Sequence, residues 1–120
     1  MRTTLRDGFQ SKSRCSFMSN EFDELISSIR NFAIARDWEQ FHTPKNLAMA
    51  ITGEAGELAS EFQWLKAEES LRAALSQEKL EAIAMEIADV QIYLLRLADV
   101  LGIDVPESVR KKIEINESRF

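Results

Sequence analysis

From residue 22 onward, apolar side chains recur every three or four positions, the period of an amphipathic helix. Phe22, Leu25, Ile26, Ile29, Phe32 and Ala33 form one such face and predict a first helix from about Asn20 to near Trp38. The run "EQFHTPKN" breaks the period. Within it Thr43 can cap a new helix, and Pro44 suits the first helical position, where a missing N–H costs nothing. Leu47, Ile51, Leu58, Phe62 and Leu65 then predict a second helix from about Pro44 to Lys66. A polar stretch, "AEESLRAALSQEK", has room for a short helical turn. Ile83, Ile87, Val90, Leu94, Leu97 and Leu101 predict a third helix from about Gln77 to Leu101, which Gly102 stops. Asp104 and Glu107 have capping-box spacing and open a fourth helix to about Asn116. No strand pattern or internal repeat competes, so the expected fold is all-α, a four-helix-type bundle.

Residues 1–19 lack this period. They carry four basic residues and one acid among Ser, Thr and Gly, and are expected to be a disordered N-terminal tail in front of one domain, 20–120. Two other readings of the segment stand beside that one. An Arg- and Ser-containing stretch almost free of acids fits a transit peptide, and "MSNEFDELI" from Met18 reads like a native beginning.

The second helix carries a conflict. On a wheel advancing 100° per residue from Leu47, Ile51, Leu58 and Leu65 lie within about 40° of zero. Glu54 falls inside that stripe at about 340°, with Glu61 and Glu57 on its flank at about 320° and 280°. Gly53 and Gly56 interrupt the same turn, although an interior glycine costs a helix about 1 kcal/mol relative to alanine. Counted from Ile83, the third helix repeats the arrangement, with Glu86 at about 300°, Tyr93 at about 280° and Asp89 at about 240°. Glu54-x-x-Glu57 and Glu86-x-x-Asp89 therefore each set two carboxylates one turn apart beside a packing seam. Carboxylates gathered there must take up protons or share a cation. A solvated face is the ordinary reading of a single Glu-x-x-Glu; two such pairs on seam-flanking faces suggest a site, and the glycines let something approach closely, either a ligand or simply a packed helix. His42 is the only histidine and lies outside both pairs, so the Glu-x-x-His pattern of di-iron bundles is missing. An all-oxygen set favours Mg²⁺, Mn²⁺ or Ca²⁺ over iron or zinc.

Charge narrows the partners. With 15 basic and 20 acidic residues the net charge is −5, which argues against a nucleic acid polymer as partner. A phosphate-bearing ligand would need a metal or a few placed cations. No apolar run approaches the roughly 20 residues of a membrane span, and one cysteine, Cys15, cannot close an intrachain disulfide, so the expected setting is cytoplasmic.

The words "RDWEQFHTPKNLAMAITGEAGELASEFQWL", "EIADVQIYLLRLADVLGIDV" and "KKIEIN" resemble the MazG-like all-α nucleoside triphosphate pyrophosphohydrolases, closest to the dCTP pyrophosphatase branch, over about residues 22–116. The family signature is Glu-x-x-Glu, a spacer and Glu-x-x-Asp; here residues 58–85 separate Glu57 from Glu86. The resemblance implies Mg²⁺-dependent hydrolysis of a (deoxy)nucleoside triphosphate to the monophosphate and pyrophosphate, with Mn²⁺ as a substitute ion, in cleansing of the nucleotide pool. It implies that Glu54, Glu57, Glu86 and Asp89 are the catalytic metal ligands, one of the first pair orienting or deprotonating water. It also implies that Trp38, His42, Trp64 and Tyr93 form the base and sugar pocket, that Lys45, Lys112 and Asn116 meet phosphate or sugar, and that the chain assembles as a homodimer or homotetramer with a shared pocket. Read without the family, Trp38 and Trp64 are interhelical packing, His42 is a loop or cap residue, Tyr93 is a seam residue with its hydroxyl in water, and Lys45, Lys112 and Asn116 are surface residues or helix-end groups. Two departures stand out. Ser60 replaces a glutamate, with Glu61 one position later, and "NESRF" replaces a basic ending, so that Glu117 and Ser118 remove positive charge. The competing reading is a non-catalytic helical module that binds a metal or a nucleotide.

Overall fold

The structure, a computed structural model, describes residues 11–120. Four helices follow one another: α1 (Ser11–Ala35), α2 (Pro44–Ser60), α3 (Gln77–Leu101) and α4 (Val105–Arg119), and among the described residues there is no strand. Short 3₁₀ turns at Glu39–Phe41, Ala67–Ser70 and Arg72–Ala74 occupy the connections, the last two in the polar stretch where a turn was expected.

The caps explain the boundaries. Thr43 Oγ1 accepts from the Asn46 N–H (3.2 Å), with Pro44 at the first helical position, as predicted. Ser76 Oγ accepts from the Lys79 N–H (3.0 Å) and starts α3. Gly102, at φ 70°, ends it, with the Ile103 N–H donating to the Ala98 carbonyl (2.8 Å). Asp104 caps α4 through the Glu107 N–H (3.0 Å). The Glu107 side chain turns to Arg110 instead of closing the expected box (3.3 Å).

Three boundaries differ from expectation. α1 starts at Ser11, before Asn20: residues 11–19 contain no glycine or proline, so a helix nucleated downstream propagates back through them. Residues 1–10 of the expected tail lie outside the described residues. α1 also stops at Ala35, because Asp37 takes the left-handed conformation at φ 56°. The N–H groups of Asp37 and Trp38 then donate to the Ile34 and Ala33 carbonyls (3.0 and 2.9 Å), a Schellman closure with aspartate in the usual glycine position. α2 ends at Ser60, not Lys66. The Ser60 hydroxyl donates to the Glu57 carbonyl (2.7 Å), and the N–H groups of Glu61 and Phe62 reach back only three residues, to Leu58 and Ala59.

α2 and α3 pack most extensively, and α1 lies against α3. The α2–α3 pair is antiparallel: Lys79 near the start of α3 meets Glu61 just past the end of α2 (3.0 Å), while Glu86 meets Glu57 and Glu54. The buried apolar core is small: Ala33, Leu47, Ile83, Leu95 and Ala98. Ile87, Leu94 and Leu101, expected on the core face of α3, are exposed, because α2 and α1 cover only part of that broad stripe. Leu25, Val109, Ile113 and Ile115 are exposed as well, and α4 makes little contact with the other helices.

Candidate active site

The antiparallel pairing of α2 and α3 brings the two acidic motifs together. Glu54, Glu57 and Glu86 each place a carboxylate oxygen within 4.8 Å of the other two. Glu54 and Glu86 are half-buried and Glu57 is exposed. One oxygen of Glu86, Oε1, is fully buried without a hydrogen-bond partner. Desolvation, followed by repulsion from Glu57, Asp89, Glu61 and Glu54, pushes the Glu86 carboxyl above its ordinary pKa. Desolvation and the charges of Asp89 and Glu57 do the same to Glu54. Glu61 is paired with Lys79 at the rim, a contact the sequence did not reveal. Three convergent oxygens, one of them buried and unpartnered, fit a hard divalent cation, which takes oxygen ligands and tolerates retained water.

Asp89 lies one turn further along α3 and borders a cavity of about 260 Å³. Trp38, His42, Tyr93 and Arg96 line the cavity with Asp89, over an apolar floor of Ile29, Phe32, Ala33 and Ile92. Each wall residue arrives for a local reason. The Asp37 closure delivers Trp38, whose ring meets Phe32 edge-on (centroids 5.6 Å apart). The following 3₁₀ turn delivers His42, its ring centroid 6.1 Å from that of Trp38. Tyr93 and Arg96 continue the α3 stripe of Glu86 and Asp89 at spacings of three and four.

Arg96 is the residue the sequence reading passed over. It is 5% exposed, the one buried charged side chain among the described residues. Its Nε donates to His42 Nδ1 (3.1 Å) and its Nη1 to Asp99 (3.2 Å). Asp99 also receives both Nε and Nη2 of Arg30 (2.9 and 2.7 Å), which ties α1 to α3. Those hydrogen bonds from Arg30, with the charges of Arg30 and Arg96, hold the Asp99 carboxyl below its ordinary pKa against the opposing effect of burial. Burial, with the Arg96 charge behind it, pushes His42 down. The available signal was the polar repeat Glu86, Asp89, Tyr93, Arg96 on one helical face.

The remaining expected site residues are not joined to this centre within one protomer. Trp64 is 86% exposed in the turn after α2. Lys45 is exposed in the first turn of α2, Lys112 is exposed on α4, and Asn116 is half-buried there. None of the four borders the cavity. The glycines also differ from expectation: a Cβ built at Gly53 or Gly56 meets nothing within 4 Å, so no close approach inside the protomer requires them.

Comparison with known proteins supplies independent findings. The model of the MazG-like family matches residues 49–120. The chain is 45% identical over 106 residues to dCTP pyrophosphatase 1 of Bos taurus, covering 88% of this chain and 63% of that protein. It is 45% identical over 89 residues to dCTP pyrophosphatase 1 of Homo sapiens, covering 74% of this chain and 52% of that one. The chain thus spans between half and two thirds of the length of these relatives. A crystal structure of a pyrophosphatase from Archaeoglobus fulgidus superposes with a TM-score of 0.77 at 40% identity, over 83% of this chain and 92% of that one.

Proposed function

This chain belongs to the MazG-like family, and from that premise we propose that it hydrolyses a (deoxy)nucleoside triphosphate, dCTP first among candidates, to the monophosphate and pyrophosphate. The observation that carries the reading is the position of Asp89. It borders the aromatic cavity and acts electrostatically on Glu54 and Glu86, so a base-sized pocket adjoins a carboxylate cluster. The reaction breaks the anhydride bond between the α- and β-phosphates. Water adds to phosphorus, loses its proton, and pyrophosphate departs.

Glu54, Glu57, Glu86 and Asp89 would hold Mg²⁺ or Mn²⁺, which supplies charge neutralisation for the triphosphate and acidifies bound water. The exposure of Glu57, beside the half-buried Glu54 and Glu86, supports it as the carboxylate that orients water and takes its proton. Trp38 and Tyr93 offer ring faces to a base, a contact worth about 1–3 kcal/mol per base in single-strand binders. His42 and Arg96 supply polar groups at the cavity wall. Trp64, Lys45, Lys112 and Asn116 join the site only if another protomer or a ligand draws them in. The exposed apolar faces of α3 and α4 support a homodimer or homotetramer in which that happens. No helix among the described residues is long and apolar enough to cross a membrane, and a role in the cytosolic nucleotide pool suits such a reaction.

The test is product identification by phosphorus NMR with dCTP and Mg²⁺, alongside Glu57→Gln. Metal-dependent dCMP and pyrophosphate, lost in the variant while helicity and assembly persist, support the proposal. Release of orthophosphate overturns the chemistry. Silence with every nucleotide, together with metal-dependent stability that Glu57→Gln loses, leaves the chain a binding module.

A further inference from the structure

We propose that Arg96 is a positioning residue that fixes the tautomer of His42, and that the cavity thereby selects a nucleobase edge rich in hydrogen-bond acceptors. The inference rests on the reading of the cavity as a base pocket, but its first half stands on geometry alone. A guanidinium is a donor with no acceptor capacity and stays protonated at all working pH values. Its Nε–H points at His42 Nδ1 over 3.1 Å, so Nδ1 must present a lone pair. The neutral ring then carries its proton on Nε2, and the doubly protonated ring would set two donors against each other. His42 can therefore offer the cavity a donor and nothing else.

The lock is itself held. Arg96 is 5% exposed and braced by Asp99, which is clamped in turn by both nitrogens of Arg30 on α1. Among the described residues the guanidinium spends two of its N–H groups on His42 and Asp99, and it lines the cavity with others to spare. Both residues line this wall, so His42 Nε2–H and a spare Arg96 N–H are the donors it would offer an entering base. Cytosine presents adjacent acceptors at its C2 carbonyl and N3, whereas uracil and thymine carry a donor at N3. A wall of fixed donors leaves that N3–H without a partner, and an unsatisfied buried donor is penalised more than a satisfied one is rewarded. Discrimination of this kind comes from the rejected base, as in sites built to hydrogen-bond their substrate.

His42 is the only histidine in the chain, so long-range ¹H–¹⁵N correlation of the 120-residue chain reads its tautomer without assignment. The expected spectrum shows Nε2 protonated and Nδ1 bare in the wild type, and exchange-averaged tautomers in Arg96→Met. If the pocket reading also holds, Arg96→Met raises KM for dCTP about tenfold, the loss of about one good hydrogen bond, and lowers preference for dCTP over dUTP by a similar factor. Changes in kcat should be small beside that. Arg96→Lys keeps a charge at this position without the planar fork, and should lose the tautomer lock while remaining folded. A wild-type His42 protonated at Nδ1, or one unchanged in both variants, overturns the proposal. A locked tautomer with unaltered dCTP-to-dUTP preference overturns the recognition half. A chain that hydrolyses no triphosphate counts against the proposed function instead, and leaves the spectrum to decide the lock.

Discussion

Removing Asp99 should destabilise the protein mainly through Arg96. Asp99→Leu deletes the acceptor of a side chain that is only 6% exposed, while the carboxylate it removes is 15% exposed. Breaking a buried ion pair from one side costs about 3–5 kcal/mol because the other charge stays behind. Arg96 retains His42 Nδ1 and Asp99 has one edge in water, so about 2–3 kcal/mol is the reasonable share here. The lost pair with Arg30 adds little, since that guanidinium is 46% exposed and its pairing is screened. At an unfolding entropy of about 2.1 cal/mol/K per residue, the melting temperature should fall by about 10 °C. The assay is calorimetry with urea titration at matched protomer concentration, on Arg96→Met, Asp99→Leu and the double variant. The double variant removes both charges and should cost less than the two single variants together, with a coupling of about 1–2 kcal/mol. Because the folded pKa of Asp99 lies below its ordinary value, its contribution is complete above a pH of about 4 and disappears as pH falls through the folded pKa. The gap between wild type and Asp99→Leu should therefore close in acid. Strictly additive losses, or a single variant that melts with the wild type at neutral pH, would refute the account.

The remaining predictions concern the acidic cluster and the core. Glu54 and Glu86 have raised folded pKa values, so the metal-free protein should lose stability as pH rises through them. Mg²⁺ should restore it, increasingly toward neutral pH; at a hundredfold its Kd, a cation bound only by the folded chain adds about 2.7 kcal/mol. Thermal melts of wild type and Glu86→Gln with and without Mg²⁺ check this: the variant should melt higher than wild type without metal and respond little to it. Gly56→Ala has open space for its Cβ and should stabilise an isolated protomer by about 0.5–1 kcal/mol, measured by urea titration. Leu47 is 1% exposed between helices, and Leu47→Ala should cost about 2–5 kcal/mol in the same titration.

Helix existence was legible wherever a cap and a period agreed. Thr43–Pro44 and Gly102 bound α2 and α3 where the sequence says they should, because the groups that stop or start those helices are local. The early ends of α1 and α2 were not legible. Asp37 adopts a conformation that glycine usually signals, and Ser60 takes a carbonyl that a continuing helix would have used. For the site, the wheel positions of Glu54, Glu57 and Glu86 anticipated their convergence, since antiparallel packing of two seams leaves the flanking carboxylates face to face. Burial of Arg96 was hidden because its two anchors, His42 and Asp99, lie on different segments, and only the tertiary fold makes a cationic side chain tolerable there.

The weak attachment of α4 has a consequence for backbone dynamics. Helices of about 12–15 residues are marginal in water without tertiary support, and α4 has 15 residues that find little of it in the protomer. Its amides should be the first to exchange with deuterium in dilute protein, in a local opening separate from the α2–α3 pair. Lys112 and Asn116 ride on that segment. Under the assembly and phosphate role proposed above, their reach to a ligand would follow the docking equilibrium of one helix, and protein concentration would shift it as readily as mutation.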